Sequence, residues 1–163
     1  MSAPEVVGLP PIVGGQPSVL ILGNAPSVLA LAAQQYYANP RNAFWRIADE
    51  LYGFSPTAPY AERTTALIRQ GVAVWDVLRF CRRAGSLDSA VERDSMVAND
   101  FDEFFREHPS ITRVFFAGGA AEANYRRLVR VDVDVAYTRL PSTSPAHTMP
   151  VPVKLAAWRA ALG

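Results

Sequence analysis

The stretch from Gln34 to Arg46, QQYYANPRNAFWR, concentrates aromatic rings, amides and two guanidiniums within a few residues and holds no carboxylate. Tyr36 and Tyr37 precede a helix-start signal: Asn39 suits the N-cap, and Pro40 brings the pre-set φ that the first helical position wants. That register puts Asn42 in the first turn, beside the unpaired N–H groups and the positive end of the helix dipole. Phe44, Trp45, Ile47 and Ala48 supply an apolar face behind it. Such a set would floor a pocket for a flat polar ring with a phosphate beside it. The same pattern describes an N-capped amphipathic helix with its aromatics in the core. That second reading fits Phe44 and Trp45 better; for Tyr36, Tyr37 and Asn42 both stand.

Two loops compete for the rest of the chemistry. Gly23-Asn24-Ala25-Pro26-Ser27 follows the apolar run Ser18–Leu22, and Leu140-Pro141-Ser142-Thr143-Ser144-Pro145-Ala146-His147 follows another apolar segment. The first lacks the glycine spacing of a Walker loop or a dinucleotide fingerprint. All fifteen Asp and Glu residues lie at position 5 or between 49 and 134, so both loops sit in acid-free segments that carry Arg41, Arg46, Arg139, Lys154 and Arg159. If those segments share a face, it is electropositive although the formal net charge is only +1. Chance clustering in an alanine-rich chain is the competing account. Within these segments no carboxylate offers itself as a general base and no cysteine as a nucleophile. The only lysine, Lys154, opens the last helix, away from the strand ends. Schiff-base and Ser–His–Asp catalysis are disfavoured. Amides, hydroxyls, one imidazole and backbone N–H groups remain. They suit a reaction in which a leaving anion is stabilised and a water positioned, such as cleavage of an N-glycosidic bond.

The elements that must hold these residues follow from periodicity. Ser18–Leu22, Val72–Asp76, Thr112–Phe116 and Val133–Tyr137 are short apolar runs of the kind buried in parallel sheets. Helical segments are expected at Pro40–Tyr52, Tyr60–Gln70, Asn99–His108, Gly118–Val129 and Val153–Leu162. Strands alternating with helices predict a three-layer α/β/α sandwich on a central four-stranded parallel sheet. Its carboxyl ends open on one edge, where both loops can flank one crevice. Residues 1–17, with four prolines and three glycines, read as an N-terminal arm, and 18–163 as one domain. Residues 82–98 read as a polar surface excursion. One cysteine, Cys81, and two distant histidines, His108 and His147, give no metal-ligand spacing, and no cofactor is expected. No apolar run reaches membrane-spanning length and no leader is evident, so the expectation is a cytoplasmic monomer.

Taken together, the Gly23–Ser27 turn, the run Gln35–Trp45, Trp75-Asp76-Val77-Leu78, Cys81 with Gly85-Ser86-Leu87-Asp88, Asn99-Asp100-Phe101 and the loop Leu140–His147 resemble the deoxyinosine (hypoxanthine) DNA glycosylases. These are a branch of the uracil-DNA glycosylase superfamily. The resemblance runs from Val19 to Trp158. It implies a monofunctional, metal-free DNA glycosylase that flips a deaminated base out of damaged DNA and leaves an abasic site. It further implies that Asn42 matches the family's catalytic asparagine, with His147 as a second candidate. Gly23, Asn24, Ala25, Ala117 and Gly118 would line the base pocket, with Tyr36, Tyr37 and Phe44 stacking on the base. Pro26, Ser27, Arg41, Ser142, Ser144, Pro145, Ala146 and Lys154 would meet the DNA backbone.

The chain departs from the branch in three places: Asn24 stands where serine is usual, Asn39 where histidine is usual, and Ala117-Gly118 where an asparagine–glycine pair is usual. With Ala117 a base reader is lost, while Asn24 and Asn42 can donate or accept after an amide flip. Relaxed specificity follows, with uracil and hypoxanthine both substrates and xanthine a further candidate. Two other classes stay open: a lesion- or abasic-site-binding protein that keeps the fold without turnover, and a small-molecule nucleotide enzyme using the Gly23 loop.

Overall fold

A computed structural model describes residues 3–163. Its centre is a parallel sheet of β2 (Val19–Gly23), β3 (Val72–Asp76), β6 (Arg113–Ala117) and β7 (Ala136–Leu140), in the order β3-β2-β6-β7. Every residue of β2 and β3 is buried. A parallel strand covered on both faces leaves no polar side, which is why these segments read as unbroken apolar runs. Helices α1 (Val28–Ala33), α2 (Phe44–Tyr52), α3 (Tyr60–Arg69), α4 (Phe101–Glu107), α5 (Gly119–Leu128) and α6 (Val151–Leu162) flank the sheet. The architecture is the expected α/β fold with a four-stranded parallel sheet.

Three segments differ from the sequence expectation. The segment expected as a surface arm holds β1 (Glu5–Val7), which pairs antiparallel with β4 (Leu78–Arg82). Val6, Leu9 and Ile12 are buried, and Ile12 bridges to Val74 on the outer edge of β3. A charged or covered edge prevents strand addition from another chain, and here covering is the device. β4 and β5 (Val97–Ala98) complete a second, antiparallel sheet in the order β1-β4-β5, so the supposed polar excursion is partly sheet. The last parallel strand lies at Ala136–Leu140 rather than Val133–Tyr137. Val131, Val133 and Val135 are half-buried against the core outside the sheet, giving strand-like alternation without strand pairing.

The start of α2 also moves. Asn39 accepts from Arg41 N at 3.0 Å and closes a local turn, so it does not cap a helix at Pro40. Tyr37 takes a left-handed backbone with φ 55°. The helix begins at Phe44, and Asn42 stands just before it instead of in its first turn.

Between the two sheets the chain passes through Val77 without a loop. Val77 N donates to Gly23 O at 2.8 Å and Leu78 N to Asn24 O at 3.0 Å, which extends the ladder beside β2 past Asp76. Asp76 is therefore clamped at a junction of two sheets, at the carboxyl end of the parallel one.

Candidate active site

A cavity of about 350 Å³ opens at the carboxyl ends of β2, β3 and β6. This is where open α/β sheets place ligands. The two loops singled out in the sequence both reach it. From the first come Gly23, Asn24, Ala25, Pro26 and Ser27; from the second, Ser142, Thr143, Ser144, Ala146 and His147. Tyr36, Tyr37, Asn42 and Ala117 complete the expected wall. Phe44 stands behind it: its ring stacks on Tyr37 with centroids 4.2 Å apart and is itself buried. Gly119, rather than Gly118, reaches the cavity. Gly118 has φ 104°, and a Cβ there would lie 2.9 Å from Ser142 Cβ, so glycine allows β6 to turn against the second loop. Arg41, exposed, and Pro145 lie outside the wall.

Asn42 is fixed by the backbone it precedes. Its Oδ1 accepts from Phe44 N at 2.9 Å, satisfying a helix-terminal donor, so Nδ2 is the atom free to act in the cavity. The side chain is thus a donor there, suited to a developing anion rather than to drawing a proton from water. The second loop is tied to the same turn: Ala43 N donates to Thr143 O at 3.0 Å.

Asn24 is fixed as well. Its Nδ2 donates to Asp88 Oδ1 at 3.0 Å, and its Oδ1 accepts from Asn124 Nδ2 at 2.8 Å. Because the carboxylate only accepts, the chain of donors has one direction. Neither amide is free to turn over, which removes the flip that the expectation of relaxed base reading relied on.

The cavity is not acid-free. Asp76 and Asp88 both line it, although they lie outside the acid-free segments. Asp76 is 3% exposed, and its Oδ2 has no hydrogen-bond partner among the described residues; the same is true of the buried Tyr37 hydroxyl. A Cβ on Gly23 would lie 2.6 Å from Asp76 Oδ1 and 2.9 Å from the Tyr37 hydroxyl, so both oxygens converge over Gly23. Burial, reinforced by the Asp88 carboxylate and opposed by the Arg83 guanidinium, pushes Asp76 up to about 7. Burial, then the Asp76 charge, pushes the phenols of Tyr36 and Tyr37 far above their usual value. Tyr36 is committed to structure, its hydroxyl donating to Leu9 O at 3.1 Å.

Arg83, 1% exposed, was not singled out in the sequence. Its Nη2 donates to Pro26 O at 2.6 Å and its Nε to Gly85 O at 2.7 Å, so one buried guanidinium joins the first loop to the Gly85–Ser89 loop. Ser86 Oγ accepts from Val28 N at 2.9 Å, adding a second tie.

The expected backbone-binding residues fall into two groups. Ser27 Oγ accepts from Ala30 N and caps α1; Ser142 Oγ and Ser144 Oγ accept from Ser144 N and Ala146 N, with His147 exposed beyond them. Each hydroxyl keeps its proton free to donate to a phosphate. Lys154 is different. It is 2% exposed, and its Nζ donates to Ser144 O at 3.0 Å, so it braces the second loop from inside and is not a surface contact. Burial and the Arg46 charge lower its pKa. Arg139 pairs with Glu122 at 3.7 Å and Arg159 with Glu50 at 3.5 Å. The electropositive face therefore reduces to Arg41 and Arg46.

The sequence model of the family described as "Uracil DNA glycosylase superfamily" matches residues 10–161. A hypoxanthine DNA glycosylase of Methanosarcina acetivorans is 31% identical over 141 residues, covering 86% of this chain and 87% of that protein. One from Methanosarcina barkeri is 29% identical over 124 residues, covering 76% of this chain and 77% of the relative. A solution NMR structure of a Methanosarcina acetivorans protein, provisionally described as a uracil DNA glycosylase, superposes with a TM-score of 0.77 at 27% identity. It covers 96% of this chain and 98% of that one.

Proposed function

The chain belongs to the uracil DNA glycosylase superfamily, and on that premise we propose that it is a monofunctional DNA glycosylase of base-excision repair. It takes a deaminated base, uracil or hypoxanthine and in third place xanthine, into the cavity and hydrolyses its N-glycosidic bond. The observation that carries this reading is the fixed orientation of Asn42. Its Oδ1 is held by Phe44 N, which leaves Nδ2 to act in a cavity of about 350 Å³, roomy enough for a flipped base, with the stacked Tyr37–Phe44 pair beneath. A preorganised donor of this kind stabilises charge that develops on a departing base, because it needs no reorientation when the bond breaks.

The second loop supports a role in gripping the strand. Ser142, Ser144 and His147 present donors at the rim, where a phosphate next to a flipped nucleotide passes. Asn24, held between Asp88 and Asn124, presents a rigid polar wall to the base. Rigid partners favour one hydrogen-bonding pattern over others, so the lactam edge common to the three bases is the shared feature recognised.

The test is a single-turnover excision assay on oligonucleotides containing uracil, hypoxanthine or xanthine, with and without alkali. Nicks that appear only after alkali match a glycosylase without lyase activity. Binding to lesion DNA with no alkali-sensitive sites for any base would favour a lesion-binding protein, the reading suggested by Ala25 and Ala117 in the cavity wall.

A further inference from the structure

The floor of the cavity carries a carboxyl group that the reading above leaves idle. Asp76 closes β3, is almost wholly buried, and has an Oδ2 without a partner among the described residues. A carboxylate in such a place is normally held by a cation or by backbone N–H groups. The cation nearby, Arg83, spends its Nε and Nη2 on the carbonyls of Gly85 and Pro26, while its Nη1, like Asp76 Oδ2, is buried with no hydrogen-bond partner among the described residues. The chain's own N–H groups at this junction, Val77 N and Leu78 N, donate to the carbonyls of Gly23 and Asn24. The nearest other carboxylate, Asp88, adds like charge. Burial and the Asp88 charge outweigh the Arg83 guanidinium and favour the neutral form of the Asp76 carboxyl.

Neutrality also suits the reaction. When the bond from C1′ to the base breaks, the electron pair leaves on the base, and a carboxylate at the floor would oppose that charge. A carboxylic acid would do the reverse, since its O–H can donate to the base carbonyl while its second oxygen accepts the adjacent ring N–H. A carboxylic acid kept un-ionised by an apolar site is a known way to donate to a developing oxyanion.

We propose that Asp76 is a second catalytic residue, a neutral carboxylic acid that pairs with the lactam edge of the flipped base and stabilises the departing anion. The proton stays on Asp76 throughout; only its hydrogen bond to the carbonyl strengthens as the glycosidic bond breaks. The buried Tyr37 hydroxyl, converging over Gly23 beside it, is a second donor on the same side. An acid of this kind pairs equally well with the amidine edge of cytosine or adenine. Asp76 therefore assists departure and does not by itself exclude those bases. The inference rests on the glycosylase reading.

Ionisation should switch this contribution off. The groups facing the carboxyl are Tyr36 and Tyr37 from the loop before α2, Cys81 on β4, and Arg83 and Asp88 from the loop after β4. Of these, Asp88 holds the proton on and Arg83 draws it off, and burial outweighs both.

The experiment measures single-turnover excision of uracil and hypoxanthine at subsaturating protein from pH 5 to 9, which reports ionisations of the free protein. Three proteins are compared: wild type, Asp76→Asn and Asp76→Ala, with melting curves for each. Wild-type excision should fall by about tenfold per pH unit above the Asp76 pKa. Asp76→Asn, whose amide copies the donor and acceptor of the neutral acid but does not titrate, should be flat over that window and overtake wild type at pH 9. Asp76→Ala should be slower by roughly a hundredfold at pH 6. Should the alanine variant fail to fold, the asparagine profile still decides. A decline that persists in Asp76→Asn belongs to another group and overturns the proposal. So does a wild-type rate that is flat or rises with pH. Absence of excision from either base at any pH overturns the glycosylase reading and this inference with it.

Discussion

Asn42 carries two separable duties, and the structure assigns each to one end of the amide. Oδ1 accepts from Phe44 N at 2.9 Å, and the side chain lines the cavity, which leaves Nδ2 to act there. Asn42→Ala removes both. Losing the cap costs about 1 kcal/mol of stability, from the usual range for a helix-terminal acceptor. In a domain of this length that is a shift of roughly 2–4 °C in Tm. Losing the positioned donor costs about two to three orders of magnitude in the excision step, or roughly 2.7–4 kcal/mol. Asn42→Asp separates the duties. The carboxylate keeps the acceptor for Phe44 N and adds a favourable charge at the helix N-terminus, so Tm should match or exceed wild type. Excision should nevertheless fall at least as far as in the alanine variant, because the donor is gone and a negative charge now faces the departing base. Single-turnover rates on a uracil oligonucleotide, taken with melting curves for both variants, test the separation. An aspartate variant within about tenfold of wild type would refute the assignment of the donor to Nδ2.

Three further outcomes follow from the site. The Asp76 carboxyl has a folded pKa raised from 3.8 to about 7, so it contributes stability that is present below the unfolded value and lost as pH rises through the folded one. Denaturant unfolding should show the wild type losing ground to Asp76→Asn between about pH 4 and pH 7, by on the order of 4 kcal/mol, and a constant difference across that range would refute it. Lys154→Met strands the Ser144 carbonyl and should destabilise by about 1–3 kcal/mol without altering the salt dependence of DNA binding, whereas Arg41→Ala should reduce that salt slope by about one. Gly118→Ala forces a Cβ against Ser142 in a backbone conformation that alanine disfavours, so both Tm and excision should drop; a variant with wild-type melting would show the turn to be tolerant.

The central strands were legible in the sequence because burial on both faces leaves one signature, an apolar run such as Val19–Leu22 with turn residues on either side. The loops at their carboxyl ends were legible for the same topological reason. Five features were not legible. Val131, Val133 and Val135 alternate like a strand because they pack against the core while extended, and alternation cannot tell packing from pairing. The start of α2 was misplaced because Asn39 serves equally as a helix cap and as the acceptor of a local turn, and the left-handed Tyr37 is invisible in residue types. Asp76 lies outside the two acid-free segments, so the charge pattern does not lead to it. An aspartate ending an apolar parallel strand is itself a signal, since that is where ligands sit. β4 buries Leu78 and Cys81, three residues apart across a register shift, so it carries no period-two alternation, and its β1 partner lies far away in the chain. The inward turn of Lys154 had no signal at all: nothing near it in sequence announces that its ammonium reaches Ser144 O.

The order of the sheet also sets the order in which a ribosome can build it. β2 is made early, yet its neighbours β3 and β6 are translated much later, and β7 can pair only with β6. At about 5–20 residues per second, β2 waits on the order of several seconds for its second neighbour. Until β3 emerges Val-Leu-Ile-Leu is an unpaired strand with two apolar faces, and until β6 emerges it keeps one open edge. β1 and Ile12 are synthesised earlier still, and their own partners on β4 and β3 also arrive later. The nascent chain therefore spends its growth with its most aggregation-prone segment uncovered, and contacts so distant in sequence make for slow folding. Expression yield, more than equilibrium stability, is where substitutions between β2 and β6 would first be felt.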